Sequence, residues 1–161
     1  LKPVRKAPPR PNDPNVITVT VNVDVQKEAQ RARELARVKG RPLVCALCKQ
    51  PGDRPREGML LWAGRHVVHA NCAFWSADVA WDHEEECLFY LERAVSRGNH
   101  MKCVQCNQSG ASVGCMVKSC SKNYHFSCAQ DAGCTFLSNF KVCCKADADK
   151  GKAFVPLPFP A

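Results

Sequence analysis

Between Cys103 and Cys128 the chain places six soft metal ligands within 26 residues: Cys103, Cys106, Cys115, Cys120, His125 and Cys128. They come in CxxC, CxxxxC and HxxC steps. Thiolate sulfur and imidazole nitrogen are donors that zinc prefers, and a two-residue gap lets one turn of chain offer two of them to a single ion. A second group stands upstream. Cys45-Ala-Leu-Cys48 is followed by His69 and Cys72, which close a Cys3His set as a structural zinc requires. His66 is the rival ligand. His69 is preferred because its gap to Cys72 repeats that of His125 to Cys128. Downstream, Cys144 and Asp147 bring the second half to eight ligands, enough for two more ions. The spacing therefore predicts three zinc ions.

Sequential pairing of those eight ligands is possible. Interleaving ties distant segments together and suits a small core. The expected cross-brace joins Cys103 and Cys106 to His125 and Cys128, and Cys115 and Cys120 to Cys144 and Asp147. Zinc accepts carboxylate oxygen, so Asp147 is chemically admissible. Cys143 is the alternative ligand, although an adjacent-cysteine pair would be geometrically awkward.

Every set is full, with no position kept for water or substrate, which points to structural rather than catalytic zinc. The sequence has no HExxH helix, phosphate loop or nucleophile elbow. Neither an enzyme nor a small-molecule substrate is expected. Cys87, Cys134 and Cys143 are spare, which leaves a Cys–His nucleophile as the enzymatic alternative. Disulfides are the other reading of twelve cysteines. The CxxC and HxxC pairing argues for zinc in a reducing compartment, and no charged segment followed by an apolar run suggests export. The chain begins at a leucine, so it is expected to be a piece of a longer protein. No apolar run approaches the roughly 18 residues that span a membrane.

The formal charge of +8 counts every thiol as neutral. Nine thiolates around three dications would lower it to about +5. Residues 1–44 hold ten Lys/Arg against four Asp/Glu, and residues 45–161 hold thirteen against eleven. The basicity thus belongs to the N-terminal segment, and the zinc core is nearly neutral.

Residues 1–15, with five prolines and four basic residues, predict an extended arm. Val16 to Val25 alternate apolar and polar side chains with period two, which predicts a strand. Its partner is open: the zinc core, sequence beyond this chain, or another copy. Residues 26–39 predict a helix capped by Gly40. Lys27, Arg31, Arg33 and Arg37 make it basic and are the candidate nucleic-acid contacts, with Lys118 and Lys122 added from the core. A solvated face is the plainer reading of such a helix. Short strands are expected at Met59–Trp62 and His66–Val68. Helices are expected from Ala73 to Asp78, Leu88 to Arg97 and Ala129 to Gly133, and a hairpin is expected around Ser138-Asn139. Asp82 to Glu86, with His83, form an acidic loop where a basic histone tail could dock, although a solvated loop is the plainer reading. From Lys150 the tail is apolar and broken by prolines.

The ligand order, a C2HC knuckle followed by C-x2-C-x8-C-x4-C-x4-H-x2-C and a late pair, resembles an extended PHD finger over about residues 43–147. The stretches Cys45-Ala-Leu-Cys48, His69-Ala-Asn-Cys72-Ala-Phe-Trp75, Gly110-Ala-Ser-Val-Gly-Cys115, Asn123-Tyr-His-Phe-Ser-Cys128 and Lys141-Val-Cys-Cys144 look closest to the trithorax / mixed-lineage-leukaemia family of histone H3 lysine-4 methyltransferases. That family ends the pattern in CxxH, where this sequence has Asp147. Together the readings predict a small α+β zinc-stabilised domain, an extended PHD finger with cross-braced zinc sites preceded by a strand and a basic helix. Its expected parts are 1–15 (arm), 16–41 (strand and helix), 43–98 (zinc knuckle), 99–147 (atypical PHD finger) and 148–161 (tail). The resemblance implies a nuclear chromatin module that contacts double-stranded DNA, a nucleosome or a histone tail, or packs beside neighbouring domains. Many PHD fingers that read trimethyl-lysine carry a Trp where this chain has Val142, so no such cage is expected. A RING-like ubiquitin-ligase module, also cross-braced, is the competing class. Its histidine comes earlier in the ligand order.

Overall fold

The chain is described by a computed structural model over residues 19–20, 23–63, 65–82, 87–152 and 154–157. The arm at 1–15, half of the expected strand, and residues 83–86 of the acidic loop lie outside these residues. Within them the elements are short, as expected where ligand-bearing turns alternate with small hairpins.

Strand β1 (Val19–Thr20) is followed by helix α1 (Val23–Val38). The predicted strand is therefore corrected: Val23, Asp24 and Val25 are helical. The cause is tertiary. Gln26 donates to the Trp62 carbonyl at 3.2 Å and accepts from the Trp62 N–H at 3.0 Å. This docks the helix start on the open edge of β2 (Leu60–Ala63) and overrides the local β preference. At the other end, Arg41 N–H reaches Ala36 O, Gly40 N–H reaches Arg37 O, and Gly40 takes φ +69°. That is a Schellman cap, as the glycine predicted.

β2 pairs with β3 (His66–His69), and β3 runs directly into α2 (Ala70–Phe74). The helix predicted from Ala73 to Asp78 thus starts and ends earlier. It forms where His69 ends the strand and Cys72 lies in the first turn. β4 (Ala80–Asp82) and β5 (Cys87–Phe89) form a sheet with β1 in the order β1-β5-β4. The zinc core is therefore the partner of the N-terminal strand, with Val19 opposite Leu88. The helix predicted over Leu88–Arg97 is corrected to α3 (Leu91–His100). Leu88 is buried, but from a strand, and Tyr90 at φ 63° separates strand from helix. Leu88, Leu91 and Val95 cover one core from two element types, which mimics helical spacing.

Then follow β6 (Val113–Gly114), β7 (Asn123–Tyr124), α4 (Phe126–Asp131), β8 (Thr135–Phe136), β9 (Val142–Cys143) and a 3-10 helix (Lys145–Gly151). The hairpin around Ser138-Asn139 forms as β8–β9. The apolar tail folds back: Leu157 N–H donates to Phe136 O, and Ser138 N–H to Val155 O.

One buried cluster runs through the whole zinc core, including Leu47, Leu60, Val68, Trp75, Leu88, Val113, Phe126 and Phe136. Each such side chain contributes about 1.5–3 kcal/mol by leaving water. Trp75 stands edge-on to Phe136 at 4.9 Å, and Phe126 edge-on to Phe136 at 5.4 Å. A polar brace crosses the same region. Arg97 donates to the buried Asp78 at 2.8 Å and to Asn123 Oδ1 at 2.9 Å. Arg97→Ala leaves that carboxylate with only the longer pair to Arg93 at 3.8 Å and should lower stability by about 1–3 kcal/mol. A urea midpoint unchanged by the substitution would show that the brace carries no weight.

Candidate metal centres

Two of the three ligand clusters are built by one device used twice. In the first, Cys45 N–H donates to Gln50 O and Lys49 N–H to Cys45 O, with Lys49 at φ 64°; in the second, Cys103 N–H donates to Gln108 O and Asn107 N–H to Cys103 O, with Asn107 at φ 60°. Each CxxC is thus wrapped in the same tight turn. A further pair of bonds joins each turn to its histidine strand: Ala46 N–H to Val67 O, and Val104 N–H to Asn123 O. In both, the histidine is the extended residue that caps a helix, and the last cysteine lies in the first turn.

These turns bring Cys45, Cys48, His69 and Cys72 together, and separately Cys103, Cys106, His125 and Cys128. A third group is Cys115, Cys120, Cys144 and Asp147, and the ligand atoms within each group lie within 4.8 Å of one another. The second and third groups interleave along the chain, as the cross-brace requires. Cys144 caps the 3-10 helix in an extended conformation, so Cys144 and Asp147 repeat the geometry of His69 and Cys72.

The donors fit zinc in their chemistry as well as in their spacing. His69 Nε2 lies 2.7 Å from Gly52 O, and His125 Nε2 lies 2.8 Å from Ser109 O. A carbonyl only accepts, so it fixes the proton on Nε2 and turns the Nδ1 lone pair inward. Nδ1 of His69 then faces Cys48 Sγ at 3.2 Å, and Nδ1 of His125 faces Cys106 Sγ at 3.3 Å. Such outer partners orient metal-binding imidazoles. The third group has its own version. Asp147 Oδ2 is 3.2 Å from Cys144 Sγ and 3.6 Å from Cys115 Sγ, while Oδ1 accepts from Lys150 at 2.8 Å.

Charge is crowded within each group. Hydrogen bonds from Cys48 and Cys72 hold the Cys45 thiol far below its usual range. Contacts with Cys45 and Cys48 drive the Cys72 thiol far above it. Burial resists charging of His69, yet Cys45, Cys48 and the Gly52 carbonyl raise it to about 10. Burial opposes ionisation of Cys103, but backbone N–H groups of His125, Cys106 and Gln105 outweigh it and lower its pKa. Lys150 first, then the Cys144 and Cys120 thiols, hold Asp147 below the ordinary carboxylate range. One thiolate makes the next costly, and a dication among them removes that conflict.

The rival residues point elsewhere. His66 Nε2 meets Glu92 Oε2 at 2.7 Å. Cys143 is buried at the end of β9 with its sulfur beside Gly151, near Leu137. Cys134 is half-buried, and burial followed by Cys144 raises its thiol to about 11, which disfavours a thiolate nucleophile. Of the candidate nucleic-acid contacts, Lys27, Arg31, Arg37 and Lys118 are exposed and Lys122 is half-buried. Arg37 pairs with Glu34 at 2.7 Å. Arg33 departs from the expectation. Its side chain is 12% exposed, donates to Leu60 O, and lies 3.5 Å from Asp53, so it docks α1 on β2. It faces β2 from the same helix as Gln26, a placement that composition alone does not carry. Lys150, Gly52 and Ser109 were also not legible as partners of the ligands, since two of them act through backbone carbonyls. No helix among the described residues is long and apolar enough to cross a membrane.

The family described as a PHD-like zinc-binding domain matches residues 69–148. The chain is similar to the histone-lysine N-methyltransferase trithorax of Drosophila melanogaster, at 39% identity over 68% of this chain and 3% of that protein. It is similar to human histone-lysine N-methyltransferase 2B at 40% identity, over 67% of this chain and 4% of that one. Human retinoic acid-induced protein 1 matches at 36% identity over 66% of this chain and 5% of that protein. The chain thus spans about one-twentieth or less of each of these relatives.

Proposed function

Because this chain carries a PHD-like zinc-binding domain of the kind found in trithorax-type histone methyltransferases, we propose that it is a non-catalytic chromatin module that works in the nucleus and contacts double-stranded DNA. Zinc holds the fold and takes no part in chemistry. Residues 45, 48, 69 and 72, then 103, 106, 125 and 128, then 115, 120, 144 and 147 are the proposed ligands. Within this reading residues 16–41 supply the contact element, and residues 43–147 supply the scaffold, a knuckle over 43–98 and a PHD-type unit over 99–147.

The observation that carries the reading is the solvent face of α1 and its exit. Lys27, Arg31, Arg37, Lys39 and Arg41 are all exposed, while the one inward cation, Arg33, anchors the helix. Exposed cations on and just beyond a docked helix suit the sequence-independent phosphate term of DNA binding. Lys118 and Lys122 are candidates to extend it. Fluorescence anisotropy on a duplex tests this. Replacing Lys27, Arg31 and Lys39 together with Glu should weaken binding by at least about tenfold, and should flatten the plot of log K against log salt by about 0.9 for every phosphate no longer neutralised. Equal affinity and an equal slope would rule out α1 as the contact.

A histone tail added as a strand to β6 has less support. On the outer edge of that strand, Ala77 N–H already bonds Ser112 O, and Met116 N–H bonds Val142 O. Packing beside a neighbouring domain has one specific observation in favour: Leu35 and Val38 are 54% and 74% exposed on the same helix. A fragment that binds neither duplex nor histone peptide at low salt would favour that reading.

A further inference from the structure

The three clusters differ in what fixes their last ligand. His69 and His125 are held by backbone carbonyls of the loops at Gly52 and Ser109, which no side-chain change removes. The carboxylate of Asp147 is held by one side chain. Lys150 Nζ lies 2.8 Å from Oδ1, and the lysine side chain is 59% exposed while that of Asp147 is 15% exposed. The pair lies within a 3-10 helix, where side chains three residues apart eclipse.

Charge gives the lysine a second task. A dication with three thiolates and a neutral imidazole carries one net negative charge. With a carboxylate in place of imidazole it carries two. Lys150 returns that excess to the value of the other two sites. It also occupies Oδ1, so that only Oδ2 is presented to the sulfurs of Cys144 and Cys115 at 3.2 and 3.6 Å.

We infer that Lys150 is a positioning residue for the third zinc, and that this zinc exchanges fastest of the three because its carboxylate ligand depends on a single solvent-exposed side chain. The inference rests on the ligand reading above, with Asp147 as the closing donor. Lys150 touches no ligand sulfur. It acts through Asp147 by fixing its rotamer and balancing its charge, and outer partners of this kind typically change metal affinity by about 10–100-fold.

The test uses the whole zinc-loaded chain. Native mass spectrometry counts bound zinc, and a chromogenic chelator follows its release. The wild type should hold three zinc ions and release one in a separate fast phase. Lys150→Met should speed that phase alone, by about 10–100-fold. Lys150→Arg should restore it, since guanidinium also binds a carboxylate oxygen. Asp147→His should slow the phase and make Lys150→Met silent. The two unaffected zinc ions report that each variant is folded. A wild type holding two zinc ions would overturn the ligand reading. Three zinc ions with a fast phase unmoved by Lys150→Met, three ions released together, or all three accelerated equally would overturn the role of Lys150.

Discussion

Stripping zinc from this chain with a strong chelator should unfold it rather than loosen one loop. The described elements are short: among them only α1 and α3 exceed six residues apart from the 3-10 helix, and the strands have two to four. Isolated helices and hairpins of that size are not stable in water. What holds them is the set of turns around three clusters, and structural zinc contributes on the order of 10–16 kcal/mol per site. A domain with a net stability of about 5–15 kcal/mol does not survive that loss. Trp75, 5% exposed against Phe136, is the reporter. Its emission should shift to the red as zinc leaves, together with loss of near-ultraviolet circular dichroism. The ligands must be deprotonated to bind, so acid should promote the same release and base should oppose it. A chelated sample, shown by mass to be zinc-free, with a native tryptophan spectrum would sink the claim. Serine at Cys103 should disturb both interleaved sites, because Cys115 and Cys120 lie between the ligand pairs of the second site.

Gly110→Ala is the single substitution expected to do most damage without replacing a ligand. Gly110 has φ +98°, and its N–H donates to Gly98 O. A methyl group there would lie well inside contact with the Leu47 carbonyl oxygen and 3.3 Å from His125 Nε2. Two effects add. The backbone conformation itself disfavours an L side chain by about 1–2 kcal/mol, and overpacking against a backbone that cannot move adds about 1–3 kcal/mol. Leu47 belongs to the first zinc turn and His125 to the second, so the clash falls where the two units meet. Thermal unfolding of the zinc-loaded variant should show a fall of about 4–20 °C, since each kcal/mol lowers the midpoint by about 2–4 °C in a domain of this size. A melting temperature within about 2 °C of wild type would mean that the two units separate freely there.

Several features could be read before any fold was known, and for definite reasons. The first two clusters follow from CxxC and HxxC steps, because zinc binding dictates local spacing. The C-cap at Gly40 and the hairpin at Ser138-Asn139 were equally local. The misreadings share a cause. Val23 to Val25 alternate as a strand would, yet they form the first turn of α1 because Gln26 bonds to the edge at Trp62. Leu88 fits a helical stripe and is a strand residue. Arg33 counts as one more cation and is an internal anchor. In each, a contact distant in sequence overrode a local pattern that was present.

By itself the sequence predicted three metal ions and the CxxC and HxxC pairs of the first two clusters, because residue identity and spacing are covalent facts. It determined the surplus of positive charge near the N-terminus for the same reason. Only the tertiary structure groups Asp147, and not Cys143, with Cys115, Cys120 and Cys144, while the Cys143 sulfur lies beside Gly151. Only the structure brought Gly52, Ser109 and Lys150 to the ligands. Hydrogen bonds to carbonyls and across helix turns depend on where the backbone lies in space, and no residue type announces them.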